Sequence, residues 1–254
     1  MNYQLTRLVL LGLLMTGCIS SPEIHETKGA YLDPLEKFNR IMFHWNYNII
    51  DPYIIRPLAL LWRDMIPLPV RYGLINFTSN LSEPSSVVNY LLEGNPYQAG
   101  LHFNRFLLNT VLGMGGFIDV ASMANPKLEK QDSRVFGNTL GYYNVGYGIY
   151  MVIPGYGRFT PREDLGGLVD YMYFPFSCFT WWMSVSKWLL EGVENRAQLL
   201  DYDIMIQENK DPYMFMRTTY FQHYDFLARK PHSTSQDTIN HIVTQRMITE
   251  IDTI

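Results

Sequence analysis

The 254-residue chain predicts a single, mainly α-helical domain assembled from amphipathic helices and working at a membrane. Three observations predict it. Helix-start signals recur: Asp33-Pro34, Asp51-Pro52, Asn95-Pro96 and Asp211-Pro212 each put a short capping side chain ahead of a Pro, whose fixed φ and missing N–H suit a first turn. Large apolar residues follow these signals at steps of three and four. Charged residues make up 17% of the chain and aromatics 15%, a pairing that suits contact with lipid or a partner better than a water-washed surface.

Residues 1–17 read as a secretion signal, with basic Arg7, a short apolar run from Leu8 to Met15 and small residues before Cys18. The run is too short to span a bilayer. Its ending, Leu14-Met15-Thr16-Gly17-Cys18, resembles a bacterial lipobox, which makes Cys18 the lipidated first residue of the mature chain. Ile19 in place of Asp resembles the pattern of lipoproteins sent on to the outer membrane, and 18–32 would serve as anchor and linker. Removing the signal takes away Arg7 and changes the net charge from −4 to −5. That mildly acidic balance offers no electrostatic footprint for nucleic acid. A lipidated Cys18 leaves Cys178 without a disulfide partner, and the apolar setting of Cys178 predicts a small buried hydrophobe.

From Asp33 the expected elements follow in order. Asp33-Pro34-Leu35-Glu36 opens a long amphipathic helix carrying Leu35, Phe38, Met42, Trp45 and Ile49, and Asp51-Pro52 restarts it. Pro67-Leu68-Pro69 is a break, and the pattern around Glu83-Pro84 between Asn76 and Glu93 fits two shorter helices. Pro96 to Ala124 is the organising stretch. Leu101, Phe103, Phe106, Leu107, Leu108, Val111 and Leu112 cover more than half of a helix, which is therefore surrounded, and Gly113, Gly115 and Gly116 allow a sharp turn or a close approach. The pattern fits a core helix with a glycine hinge or a helix pair meeting lipid.

Residues 131–160 alternate Gly with Tyr, and Tyr147, Ile149, Met151 and Ile153 recur with period two, which predicts a loop or hairpin. Tyr171 to Ser186 is uncharged and rich in aromatics, broken by Pro175, and reads as interfacial or buried. The helix after it carries Trp181, Val185, Trp188, Leu189 and Val193 on one face and Lys187, Glu191, Glu194 and Arg196 on others. Asp211-Pro212 opens a last helix, and 231–254 reads as a flexible tail.

The motifs of chemistry are missing. The six His residues form no metal-ligand spacing, the glycine run is neither GxGxxG nor a phosphate loop, and no GxSxG elbow occurs. The sequence thus predicts no enzyme, no metal and no cofactor.

Asp33-Pro34-Leu35-Glu36-Lys37-Phe38-Asn39-Arg40, Asn76-Phe77 with Asn80-Leu81 and Glu83-Pro84, Arg105 to Asp119, and Arg196 to Asp201 resemble the MlaA (VacJ) lipoproteins over about 33–230. The resemblance implies a ring-like bundle of amphipathic helices embedded in one leaflet of the outer membrane, lipid-anchored on the periplasmic side of a Gram-negative bacterium. It implies an amphipathic channel that removes mislocalised phospholipids from the outer leaflet. The implied partners are a trimeric porin and a soluble periplasmic lipid carrier. On that reading Gly113, Gly115 and Gly116 form a hinge in the channel wall, and Arg105, Asn109, Arg162, Asp164, Asp170 and Lys187 are candidates for its polar lining. A lipoprotein that braces porins without transport is the alternative. The chain departs from the family pattern in two places. Asn144-Val145-Gly146-Tyr147-Gly148-Ile149-Tyr150 stands for Gly-Val-Gly-x-Gly-Pro-Tyr, and Thr160-Pro161-Arg162-Glu163-Asp164 replaces a Thr-Leu-Arg-Asp-type run.

Overall fold

The computed structural model describes residues 33–229; the signal segment 1–17, the anchor and linker 18–32 with Cys18, and residues 230–254 with the tail 231–254 lie outside the described residues. Helix α1 (Glu36–Trp45) runs on without leaving right-handed backbone through a π-helical stretch, Asn46–Ile55, into α2 (Arg56–Met65). Neither Asp-Pro pair at this end starts a helix in the expected way. Leu35 holds the cap position of α1 with no side-chain bond. Asp33 is drawn off by the Nδ2 of Asn39 at 2.9 Å, within the helix that follows, and by the hydroxyl of distant Tyr213. Pro52 lies inside the π-helical stretch, whose wider turn accommodates the ring and the missing donor, and Asp51 pairs with Arg196.

After an extended Ile66, α3 spans Leu68–Leu92 as one helix of 25 residues with Pro84 inside it, not two shorter ones. The hydroxyls of Ser82, Ser85 and Ser86 donate to backbone carbonyls about one turn back, and buried side chains on both sides of Pro84 hold the axis together. Here packing overrides the local helix-breaking preference.

Helix α4 (Pro96–Val111) starts as read, with Asn95 accepting from the amide of Gln98. It packs along α3 and ends in the glycine turn, where Met114, Gly115 and Gly116 take positive φ values of 53, 76 and 107°. A Cβ on Gly113 would collide with the carbonyl oxygens of Ile118 and Asn109. A Cβ on Gly116 would fall 2.6 Å from the Cβ of Asn80. Helix α5 (Val120–Ala124) follows, capped by Asp119, and Asn125 ends it.

The Gly/Tyr-rich region is in part a helix, which corrects the expectation of loop or hairpin for its first third. In α6 (Phe136–Tyr142) glycine serves close packing, since a Cβ on Gly137 would meet the side chain and backbone of Glu163. The remainder is a hairpin as read, β1 (Met151–Ile153) antiparallel to β2 (Gly157–Phe159), with Val152 opposite Arg158. Asn144 adopts φ 60°, the left-handed region that Asn tolerates best after Gly.

A two-stranded hairpin is marginal alone. This one is completed by side-chain amides of the α1 rod. Asn39 donates to the carbonyl of Tyr150 at 3.0 Å and accepts from the amide of Val152 at 2.9 Å. Asn46 repeats the pattern on Ile153 and Gly155 at 2.9 and 2.8 Å. Seven residues of helix rise about 10.5 Å and three residues of strand about 10 Å, so two asparagines two turns apart match the strand's repeat.

The chain continues through α7 (Gly166–Asp170), the aromatic segment around Pro175, α8 (Trp181–Leu199), α9 (Asp203–Gln207) and α10 (Pro212–Ala228). Asp211 caps α10 as expected. The elements touch in a closed circuit, which gives the ring-like bundle. The α1 rod packs on the hairpin, α2 on α8, α8 on α3, α3 on α6, and α6 on α10. Arg40 of α1 then closes the circuit on Asp211 with bonds of 2.8 and 3.1 Å. An aromatic core of Tyr150, Val152, Tyr213, Tyr220 and Phe221 fills the junction of hairpin and α10. Cys178 is exposed, so it is not the buried hydrophobe its neighbours suggested. Pro175 and Phe176 take the interior instead.

Candidate functional site

The polarity of the helices is turned inside out. On α4 the buried residues are Ala99, His102, Arg105 and Asn109, whereas Phe103, Leu107 and Val111 face outward, Val111 at 69% exposure. The expectation that this helix is surrounded is therefore corrected: it buries one narrow polar stripe and shows its apolar breadth. Helix α8 does the same, burying Glu194 and Ala197 and exposing Val185, Trp188, Leu189 and Trp181, the last at 79%. Among the described residues, buried polar and charged side chains outnumber buried apolar ones. A soluble domain shows the opposite arrangement, and a contiguous apolar exterior marks contact with lipid or protein.

The interior is held by ion pairs and hydrogen bonds. Glu83 of α3 accepts from the Nε of Arg105 at 2.9 Å and meets the Nδ1 of His102 at 2.5 Å, with His102 stacked on Tyr90. Arg105 also reaches Ser122, the carbonyl of Leu128 and Asp119, and Asn109 bridges Asp119 and the amide of Ala121. Burial alone would raise the carboxyl pKa of Asp119, but bonds from Ser122 and Asn109 and the charge of Arg105 outweigh it and hold the pKa low. Glu194 accepts from the Nε and Nη2 of Arg71 at 2.9 and 2.8 Å and from the indole of Trp62 at 2.5 Å, tying α8 to α3 and α2. Arg134 and Thr139 share Glu93 at 2.7 Å each.

The candidate lining residues fall in three places. Arg105 and Asn109 join the glycine turn, since their partner Asp119 opens α5 and Asn80 of α3 bonds Thr110 and the carbonyl of Gly115. Arg162 and Asp164 lie in the segment that follows the hairpin, and Asp170, a few residues on, is bonded to α3 and α6. Arg162 is buried, bonded to Glu163 at 2.7 Å with its guanidinium 3.5 Å from the ring centre of Tyr147. Asp164 accepts from Tyr156 and from the amide of Thr160, and burial pushes its pKa up despite these bonds. Asp170 accepts from Asn89 and from the amide of Phe136, yet burial pushes it up to about 6. Lys187 stands apart on α8, paired with Glu191 at 2.9 Å and facing the ring of Phe176.

Sequence reasoning passed over Glu83, His102, Arg71, Glu194, Glu93 and Arg134. A signal for them was present. Arg71, Thr78, Ser82, Ser85, Asn89 and Glu93 recur along α3 and its C-cap at multiples of three and four, a continuous polar stripe.

A polar cavity of about 230 Å³ opens where the π-helical stretch meets α2, α8 and α9. It is lined by Tyr47, Asp51, Arg56, Arg196, Asp203 and Gln207, among others. Among the described residues no group of three His, Cys, Asp or Glu side chains is placed to hold a metal ion, and no helix is long and apolar enough to cross a membrane.

A helical ring with charge inside and apolar side chains outside defines a class of protein that presents its oily surface to its surroundings and keeps a polar interior. Within that class the chain belongs to the MlaA lipoprotein family, which its residues 31–227 match. It is 50% identical over 252 residues to the intermembrane phospholipid transport system lipoprotein MlaA of Escherichia coli (strain K12), covering 99% of each chain. The protein of the same name from Haemophilus influenzae is 40% identical over 230 residues, covering 87% of this chain and 90% of that one. A solved structure from work on the structural basis for maintenance of bacterial outer membrane lipid asymmetry superposes with a TM-score of 0.77 at 56% identity, covering 78% of this chain and all of that one.

Proposed function

We propose that this chain is an outer-membrane lipoprotein that removes mislocalised phospholipids from the outer leaflet and hands them to a soluble periplasmic carrier, so maintaining lipid asymmetry. The single observation that supports this most is the reversed polarity of its helices, in a chain half identical over its length to lipoproteins named for intermembrane phospholipid transport. Lipid-facing Trp, Leu and Val would seat the ring in one leaflet, on the periplasmic side, with Cys18 as the lipidated anchor. A trimeric porin would share that seat. The zwitterionic head group of a lipid needs a polar path and its tails an apolar one, which a ring of such helices can supply. No bond is made or broken in this process, so the protein acts as a conduit and not as an enzyme. In this reading Gly113, Gly115 and Gly116 let the wall bend, and Arg105, Asn109, Arg162, Asp164, Asp170 and Lys187 supply polar lining.

The test is a strain lacking the protein, complemented with the wild-type chain, with Gly115→Leu or with Lys187→Glu. Outer-leaflet aminophospholipid is labelled from outside with an impermeant amine reagent. Accumulation in the deletion strain, reversed by the wild-type chain, is expected. No accumulation would refute transport and leave porin bracing, and full rescue by both variants would remove those two residues from the path.

A further inference from the structure

The polar cavity beside the π-helical stretch has a charge arrangement that selects a ligand. Arg196 is shared by two carboxylates, Asp51 at 2.7 and 2.8 Å and Asp203 at 2.9 Å, so this half-buried triad carries one net negative charge. Arg56, the remaining cation of the cavity, is held loosely. Its Nε stands 3.5 Å from Asp203 and its side chain is 48% exposed. The cavity is thus neutral overall, with Asp203 between two cations, tightly bonded to Arg196 and loosely paired with the more exposed Arg56.

At about 230 Å³ it is smaller than the roughly 300–1,000 Å³ pockets that enclose a whole drug-sized ligand, and it has room for a small polar group only. The same segments that supply the cavity carry exposed apolar side chains, Tyr53, Ile54 and Leu58 on one and Ile204 and Met205 on another. A ligand with a compact charged end and a long apolar end matches both features.

We infer that this cavity binds the phosphate–ammonium head group of a zwitterionic phospholipid, the phosphate against Arg56 and the ammonium toward Asp203 and Asp51. The inference rests on the proposed role to the extent that it needs the ring to sit at a phospholipid surface. A guanidinium gives a phosphate planar, paired N–H donors, and as the phosphate draws Arg56 from its loose pairing with Asp203 the ammonium takes its place beside that carboxylate. A head group with phosphate but no ammonium, such as phosphoglycerol, would take Arg56 from Asp203 and leave that carboxylate's share of negative charge without a replacement cation. The cavity therefore discriminates by the sign of the far end of the head group.

The full-length lipoprotein in mild detergent is titrated with phosphatidylethanolamine and with phosphatidylglycerol of the same acyl chains, and binding is read by native mass spectrometry. Phosphatidylethanolamine binds the tighter, and Arg56→Gln weakens it by about tenfold, the loss of one charged hydrogen-bonding group, while Arg56→Lys keeps most of it. Half-exposed Arg56 leaves the fold intact in both variants, which circular dichroism checks. Equal affinity for the two lipids, or unchanged binding in Arg56→Gln, overturns the proposal. Soluble glycerophosphoethanolamine separates the two sources of the head group: failure to displace the lipid supports a lipid ligand, and displacement at equal concentration overturns it. The labelling of the deletion strain is independent. Selective binding here with no leaflet defect there would overturn transport while sustaining the cavity, and the reverse result would do the opposite.

Discussion

Replacing Glu194 by Ala tests whether ion pairs and not apolar burial hold this ring together. Glu194 and Arg71 have side chains only 2% and 7% exposed, and Glu194 also accepts from the indole of Trp62 at 2.5 Å. Removing the carboxylate strands a buried guanidinium, at about 3–5 kcal/mol, and an indole N–H, at about 1–3 kcal/mol. With partial relaxation the expected loss is about 4 kcal/mol, a large share of the ~5–15 kcal/mol that stabilises a typical domain. The double change Arg71→Met with Glu194→Leu removes both charges together, and such replacements of buried pairs are neutral or stabilising. It should recover most of the loss, with a coupling above about 2 kcal/mol. The assay is reversible denaturation in mild detergent, followed by far-ultraviolet circular dichroism. A cost below about 1 kcal/mol for Glu194→Ala, or a double variant as unstable as the sum of the singles, would refute the argument.

Asn46→Ala should release the hairpin locally, through loss of the bonds to Ile153 and Gly155 at about 1–2 kcal/mol, and hydrogen exchange should quicken over residues 151–159 while α4 stays protected. Asp170 sets a pH dependence. Its carboxyl titrates at about 6 instead of 3.8, so between these values the folded chain binds the proton more tightly and stability falls as pH rises. The full cost, up to about 3 kcal/mol, is present above pH ~6, and the gain in thermal midpoint from pH 7 to pH 5 should be smaller in Asp170→Asn than in the wild type. Gly116→Ala adds a collision with Asn80 to a φ of 107° and should cost about 2 kcal/mol or more in thermal unfolding. Gly115→Ala, with open space around its Cβ, should cost only about 1 kcal/mol.

Helices were legible wherever a signal was local. Asn95 and Asp211 cap α4 and α10 as their Pro neighbours announce, and the glycine turn falls where three missing side chains place it. Asp33 and Asp51 carried the same signal, but each found a partner more than a hundred residues away, Tyr213 for one and Arg196 for the other. Pro84 failed as a breaker for a similar reason, since neighbours packed on both sides of it fix the axis of α3. Arg105 and Asn109 are candidates for the interior only through the family resemblance, and both are buried. Their partners, Glu83 on another helix and Asp119 beyond the turn, are pairings that spacing alone does not encode. Periodicity gives the contrast between two faces of a helix and not which face is inside. That choice depends on the solvent, and a hydrocarbon exterior reverses it.

The inverted polarity also inverts the pattern of mutational freedom. In an ordinary domain the interior accepts swaps among Leu, Ile and Met with modest loss, because apolar contact is non-directional, while the surface drifts among polar residues. Here the interior is a lock of oriented donors and acceptors such as Arg71 with Glu194 and Asn39 with the hairpin, where even Glu for Asp misplaces a bond. The exterior positions, Trp181, Leu189, Phe103 and Val111, need only remain oily. A complete substitution map of this ring would read as the photographic negative of a globular protein's, invariant in its charges and permissive in its hydrophobes.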